Sequence, residues 1–222
     1  MELLHLNLSR RRALSLAAGA AFAAAFPQLA LAARTPEDVL TNWYRLVLEL
    51  VRHTPTCSPP VAARAFAYLG VTAYEALASG TAGLAPLSGQ LTDLAAAPKR
   101  QAGAYDEAAV LHAALTSAVS RYFENTGPTG QRAMKAMADR IKPTASPEVL
   151  ARSAVHGQAI ADHIWQWSQD DGGAKVENLG FPYSYTPIPG NQNWVPTSKI
   201  ILQQAPLLPD WGKNRPFAMP TP

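Results

Sequence analysis

Side chains able to do acid–base or ligand chemistry are few in this chain, and they do not cluster. It carries one cysteine and five histidines, namely His5, His53, His112, His156 and His163. His156 and His163 stand two turns apart near one face of an amphipathic stretch, with Asp162 beside the second. Helical zinc sites often place two histidines at i and i+4, as in H-E-x-x-H, and no two histidines here have that spacing. The histidines are therefore expected to sit half-buried at helix contacts, and no catalytic, cofactor-binding or metal-ligating residue is assigned. Cys57, in T-P-T-C-S-P-P, has no second cysteine to pair with and reads as an ordinary loop thiol. The patterns G-x-S-x-G, G-x-x-x-x-G-K-[ST] and C-x-x-C are absent, which removes the acyl-transfer, phosphate-loop and dithiol routes they signal. Arg64, Tyr68, Tyr74 and Glu75 form a polar set inside an apolar stretch. Such a set is expected to be a buried hydrogen-bonding or salt-bridge group that locks a helix to its neighbours.

The elements that must position these residues read as helix after helix. Thr35-Pro36-Glu37-Asp38 supplies an N-cap, a proline at the first helical position and two acids at the positive end of the dipole. Leu40, Trp43, Tyr44, Val47, Leu50 and Val51 follow at helical spacing and predict a helix to about His53. Ser58-Pro59-Pro60 starts a second, alanine-rich helix, buried by its composition, which Gly80 stops. Residues 80–103 read as loop. A third helix opens at Tyr105-Asp106-Glu107, presents Ala109, Val110, Ala113, Ala114, Ser117, Ala118 and Tyr122 as its one apolar or small face, and ends by Gly127-Pro128. A short fourth runs from about Thr129 to Ile141. Ser146-Pro147-Glu148 caps a fifth, which carries Val149, Leu150, Ala154, Ile160, Ala161, Ile164, Trp165 and Trp167 to about Asp170. No stretch alternates like a strand for more than a few residues, so the fold class is all-α, a bundle of about five helices over residues 33–171.

Residues 1–32 read as an address. Ser9-Arg10-Arg11-Arg12-Ala13-Leu14-Ser15 precedes an alanine-heavy apolar run, and Ala30-Leu31-Ala32 offers a small-x-small cleavage site. Arg10, Arg11, Ala30 and Ala32 thus mark a twin-arginine signal peptide, and a periplasmic or secreted location is expected. Three arginines against Glu2 give this segment +2 of the formal +3, which leaves the rest of the chain at +1. The pI near 9.1 is therefore mostly an export feature. Beyond it there is no basic run, so no nucleic acid partner is expected, and the membrane is met only during export.

Residues 172–222 have no helical or alternating period. Pro196, Pro206, Pro209 and Pro216 fix φ and remove donors, which predicts an irregular extended strap. Trp194, Trp211 and Phe217 are its expected anchors, with Gly212 and Arg215 beside them. This arrangement, W-V-P-T followed by L-L-P-x-W-G-K-x-R-P-F, resembles the bacterial vanadium-dependent haloperoxidases, which share a helical fold with the type 2 phosphatidic acid phosphatases. P-P-V-A-A-R-A-F-A-Y-L-G-V-T-A-Y-E-A-L from Pro59 is similar to the second helix of that family.

The resemblance implies peroxide-dependent halide oxidation or phosphatase chemistry on bound vanadate or phosphate. In the family the anion pocket is built by K-x6-R, S-G-H and R-x5-H. The residues seven beyond Lys99, Lys135, Lys142, Lys175, Lys199 and Lys213 are Asp106, Lys142, Val149, Pro182, Pro206 and Pro220, and no S-G-H occurs. The resemblance therefore spans the non-catalytic helical half. It implies a truncated haloperoxidase-like protein, inactive as this chain and without the family's vanadate ligands. Two further readings stay open: one subunit of a split enzyme, whose partner is a separately encoded C-terminal catalytic half, and a free-standing exported helical interaction module.

Overall fold

The computed structural model describes residues 35–197 and 205–219, and among them the chain forms five α-helices and no strand. They are α1 (Pro36–His53), α2 (Pro59–Ala78), α3 (Glu107–Tyr122), α4 (Pro128–Arg140) and α5 (Pro147–Ser168). The all-α reading holds. Arg10, Arg11, Ala30 and Ala32 lie outside the described residues. No described helix is long and apolar enough to cross a membrane.

Helix starts follow local chemistry. Thr35 Oγ1 accepts from the Asp38 N–H at 3.1 Å, Asp106 from Ala109 at 2.7 Å and Ser146 from Val149 at 3.4 Å. Such caps satisfy an amide that the helix itself leaves open and contribute about 1 kcal/mol each. Ser58 caps α2 differently: its hydroxyl is buried without a partner, and its carbonyl accepts from Ala62 at 2.8 Å. Helix α3 ends earlier than its sequence suggests, at Tyr122. The next residue, Phe123, is fully buried and leaves the helical region, so the chain turns inward there. Gly127 and Pro128 instead open α4.

Helix α3 packs against each of the other four. That position explains why one apolar face was the wrong picture for it. Leu111, Leu115 and Val119 are fully buried besides the expected Ala109, Val110, Ala114 and Ala118, whereas Ala113, Ser117 and Tyr122 are half-buried. A helix surrounded by neighbours buries most of its circumference, so periodicity cannot select a single face. In α5 the buried side carries Ser153, His156, Gly157, Ile160, Ala161, Ile164, Trp167 and Ser168, while the expected Ala154 is exposed. Gly157 sits where α5 crosses the backbone of α3: a Cβ there would lie well inside van der Waals contact with Val110 O, and 2.9 Å from Ala113 Cβ.

The connection from α2 to α3 is irregular, as its glycines and prolines imply, yet it belongs to the core. Leu94 joins Tyr68, Val71, Ile164 and Trp167 in a buried cluster, with Leu87, Leu91, Tyr122, Ala174 and Phe217 packed against it. Two members of the polar set on α2 hold this connection down. Glu75, 3% exposed, accepts from the Leu87 N–H at 2.6 Å, and Tyr74 donates to Ala85 O at 2.8 Å.

The strap is less extended than its prolines suggest. It forms 3-10 turns at Asn178–Gly180 and Trp211–Lys213, tied by a bond from Leu208 N–H to Gly180 O at 2.8 Å. Leu179 (φ 56) and Leu208 (φ 50) adopt the left-handed region, which costs a branched side chain energy and is held only by surrounding contacts.

Candidate functional site

The most densely bonded group of ionisable side chains lies where the strap meets α2 and the end of α5. Arg64 and Tyr68 are one turn apart on α2, so both point at the same neighbour. That neighbour is Asp171, which follows the last turn of α5 and is 4% exposed. Its Oδ2 accepts from both Arg64 Nη2 and the Tyr68 hydroxyl, and its Oδ1 accepts from the Gly173 N–H at 2.8 Å. Arg64 Nε also donates to the Tyr68 hydroxyl oxygen at 2.8 Å, and Nη2 donates to the carbonyl of Arg215 at 2.7 Å. The guanidinium carbon lies 4.8 Å from the ring centre of Phe217. One arginine thus joins a helix, a turn and the strap. Tyr68 stacks on Tyr122 at 5.0 Å and 8°, and it meets Trp167 edge-on.

The electrostatics follow from this packing. Burial, reinforced by the Asp171 carboxylate, pushes the Tyr68 phenol well above its usual range, so it stays a donor. Burial works against the Arg64 charge, but the bonds to Asp171 and Tyr68 outweigh it and leave the guanidinium more basic than usual. Tyr122 is likewise raised by burial. Arg64, Tyr68 and Tyr122 therefore all hold their protons more firmly than usual, which suits a clamp and not an acid–base centre.

Arg215 provides a second hold. Its Nη1 donates to Trp167 O at 2.7 Å, its Nη2 pairs with Asp170, and its Nε lies 3.5 Å from Asp93. Phe217 O accepts from the Thr92 N–H at 2.8 Å, and its ring lies 4.9 Å from that of Trp167. The other expected anchors differ. Trp194 is 40% exposed and meets Tyr185 edge-on, while Trp211 is half-buried. Trp194 sits in a run of mostly exposed residues, so the ring has no bundle surface to bury against. A Cβ at Gly212 would meet open space, so that turn does not need a glycine for room. Lys213 pairs with Asp210 in solvent and makes no described bond to the bundle.

A second polar cluster was not anticipated. Ser79 ends α2, and its hydroxyl donates to Ala76 O at 2.7 Å. The same oxygen lies 3.0 Å from His156 Nε2 and accepts from Arg100 Nε at 3.1 Å. Because the single hydroxyl proton is committed to a carbonyl, the His156 nitrogen must be the donor in their contact. A serine facing a histidine N–H cannot be deprotonated by it, so the pair is not a nucleophile and base. Arg100 forms a bidentate pair with Glu107, both bonds 2.6 Å, and lies over the Tyr105 ring. Burial, then Arg100, hold His156 below the usual imidazole value.

The remaining histidines and the cavities complete the picture. His112 bonds Trp43 and Ala138, His163 Nε2 lies 3.0 Å from Ala95 O, and His53 approaches Glu49. His156 and His163 thus serve different neighbours. Among the described residues no three His, Cys, Asp or Glu side chains gather as a metal site would need. Cys57 is half-buried, and burial pushes its thiol up to about 11, so it is a poor nucleophile near neutrality. A cleft of about 390 Å3 between the start of the strap and residues 208–214 is lined by Asp170, Asp171, Glu177 and Asp210 against Lys175 and Lys213. Its carboxylates outnumber its cations, the wrong sign for an oxyanion. Arg64 and Arg215 are turned onto carboxylates, and no described histidine nitrogen joins them. These residues do not fit a vanadate or phosphate pocket, which needs convergent cations and a histidine.

Fold and site together define an all-α bundle whose irregular C-terminal segment is clamped by arginines. Comparison with known proteins finds no family model, no curated protein and no solved structure that matches the chain.

Of the polar set on α2, Arg64 and Tyr68 go to the clamp, whereas Tyr74 and Glu75 go to the following loop. Sequence reasoning missed Asp171, whose D-G-G setting signals only a helix stop. It also missed Ser79, Arg100 and Glu107, which carry no motif.

Proposed function

We propose that the helical block and its strap are the scaffold half of an exported, vanadium-dependent haloperoxidase-like protein, and that oxyanion chemistry belongs to a catalytic half outside the residues described. One observation carries this reading. The two segments on which the resemblance rests, P-P-V-A-A-R and W-G-K-x-R-P-F, meet through Arg64, which bonds the Arg215 carbonyl and lies over the Phe217 ring. A strap fixed in this way sets where the chain runs along the bundle, which is what a scaffold must do for a neighbouring half. The sequence adds that K-x6-R and S-G-H are missing, and preorganised donors are the main source of rate in oxyanion chemistry.

Purified residues 33–222, assayed with vanadate, peroxide and bromide and separately with a chromogenic phosphate ester, are expected to turn over neither substrate. Loss of a single oxyanion donor typically costs about a hundredfold or more, and here the set is absent. Turnover by this segment alone, surviving substitution of Lys213 and Arg215, overturns the proposal. A free-standing module would be marked instead by an unrelated binding partner and no gain on adding a catalytic half.

Export is tested separately. Arginine presents a planar donor fork that lysine lacks, so changing Arg10, Arg11 and Arg12 together to lysine is expected to abolish periplasmic accumulation. Undiminished export of the triple variant rules the twin-arginine route out.

A further inference from the structure

His112 is held so that a single protonation state satisfies its neighbours. It lies on α3, with Nδ1 3.3 Å from the indole nitrogen of Trp43 on α1 and Nε2 3.1 Å from Ala138 O on α4. An indole N–H can only donate and a carbonyl can only accept, so Nδ1 carries a lone pair and Nε2 the proton. Trp43 is fully buried, and its ring lies 5.9 Å from the imidazole, so the indole N–H has no water to turn to. A second proton on Nδ1 would set one N–H against another.

We propose that His112 is an acid-sensitive latch: protonation at Nδ1 breaks the bond from Trp43 and loosens α1 from α3 and α4. From α1 the group facing the imidazole is Trp43, which does not titrate. From α4 it is the Ala138 carbonyl, with Lys142 just beyond that helix and paired to Asp139 at 2.8 Å. On α3 itself Thr116 donates to the His112 carbonyl at 2.7 Å and brings no charge. Burial lowers the imidazole below its usual 6.5, opposed by the Ala138 carbonyl and reinforced by Lys142. Between that lowered value and 6.5 the unfolded chain binds more protons than the folded one. The latch is therefore at full strength above the unfolded value. It weakens as pH falls through the folded value, below which no further loss follows.

The experiment is a proton–nitrogen NMR titration of the full chain, following the His112 ring and the Trp43 indole N–H together with amide protection. Both signals are expected to move with one shared midpoint below 6.5. Below that midpoint, Val47 and Leu50 on α1 are expected to lose protection that Ile160 and Ile164 on α5 keep. In His112→Gln the amide can accept from the indole and donate to Ala138 at every pH, so the Trp43 signal and α1 protection are expected to stay flat. The indole signal separates this event from titration of His156, which is also lowered by burial. A His112 midpoint at or above the usual value, an indole unmoved by that titration, or an acid step retained in His112→Gln each overturns the latch. Should the glutamine variant not fold, the wild-type titration decides alone.

Discussion

Asp171→Ala is expected to lower the unfolding free energy by about 3–5 kcal/mol, read from urea denaturation, and to release the strap to limited proteolysis. The Asp171 side chain is fully buried, and that of Arg64 is 15% exposed. Removing the carboxylate leaves a guanidinium charge, a phenolic hydroxyl and the Gly173 amide without their acceptor, and stranding one partner of a buried ion pair typically costs that much. The pair's net worth is smaller than the cost of breaking it. Arg64→Met combined with Asp171→Leu is therefore expected to be less destabilised than Asp171→Ala alone, because neither charge is then buried unpaired. Because Arg64 also bonds the Arg215 carbonyl and stacks on Phe217, proteolytic cleavage should appear first in the strap. A loss below about 1 kcal/mol, with the strap still protected, would show that water replaces the carboxylate at no cost and that the clamp is not structural.

Gly157→Ala is expected to destabilise the fold by about 1–3 kcal/mol, although helix propensity alone argues for the opposite sign. Alanine in a helix interior is favoured over glycine by about 1 kcal/mol. Against that, the new methyl would overlap Val110 O, and it would lie 2.9 Å from Ala113 Cβ and 3.0 Å from Ala114 N. Two of these three atoms are backbone of α3 and cannot rotate away, so α5 must move off the hub helix and loosen the packing it shares with α3. Overpacking of this kind usually costs more than the propensity gain. Gly212→Ala is the control, since a Cβ there meets open space, and it should change stability by no more than about 0.5 kcal/mol. Thermal and urea unfolding of the two variants in parallel test the argument. A Gly157→Ala protein more stable than the parent would mean that the two helices do not cross as closely as described.

The sequence alone determined the helices, because their signals are local. Proline follows the capping residue at Thr35, Ser58 and Ser146, and a run of apolar residues at helical spacing comes next. A backbone that must satisfy its first amides within one turn leaves that pattern in adjacent residues, and the pattern needs no distant partner to be read. Where the signal involves neighbours, it misleads: periodicity assumes one solvent side and so picks out one face of α3, whereas a helix packed against the other four has little solvent side. The strap's irregularity was also legible, from prolines that act on their own backbone.

Tertiary structure alone decided which charges meet. Arg64 finds Asp171 107 positions away and the Arg215 carbonyl 151 positions away, and His156 meets Ser79 at a separation of 77. Nothing in the local chemistry of an arginine selects one of the chain's 16 acids, since ion pairing depends on which groups packing brings within a few ångströms. Likewise, Trp194 and Phe217 are both aromatic residues of the strap. Only the fold puts Phe217 against Tyr68, Trp167 and Arg64 and leaves Trp194 exposed, because burial of a ring is decided by the surface available to receive it.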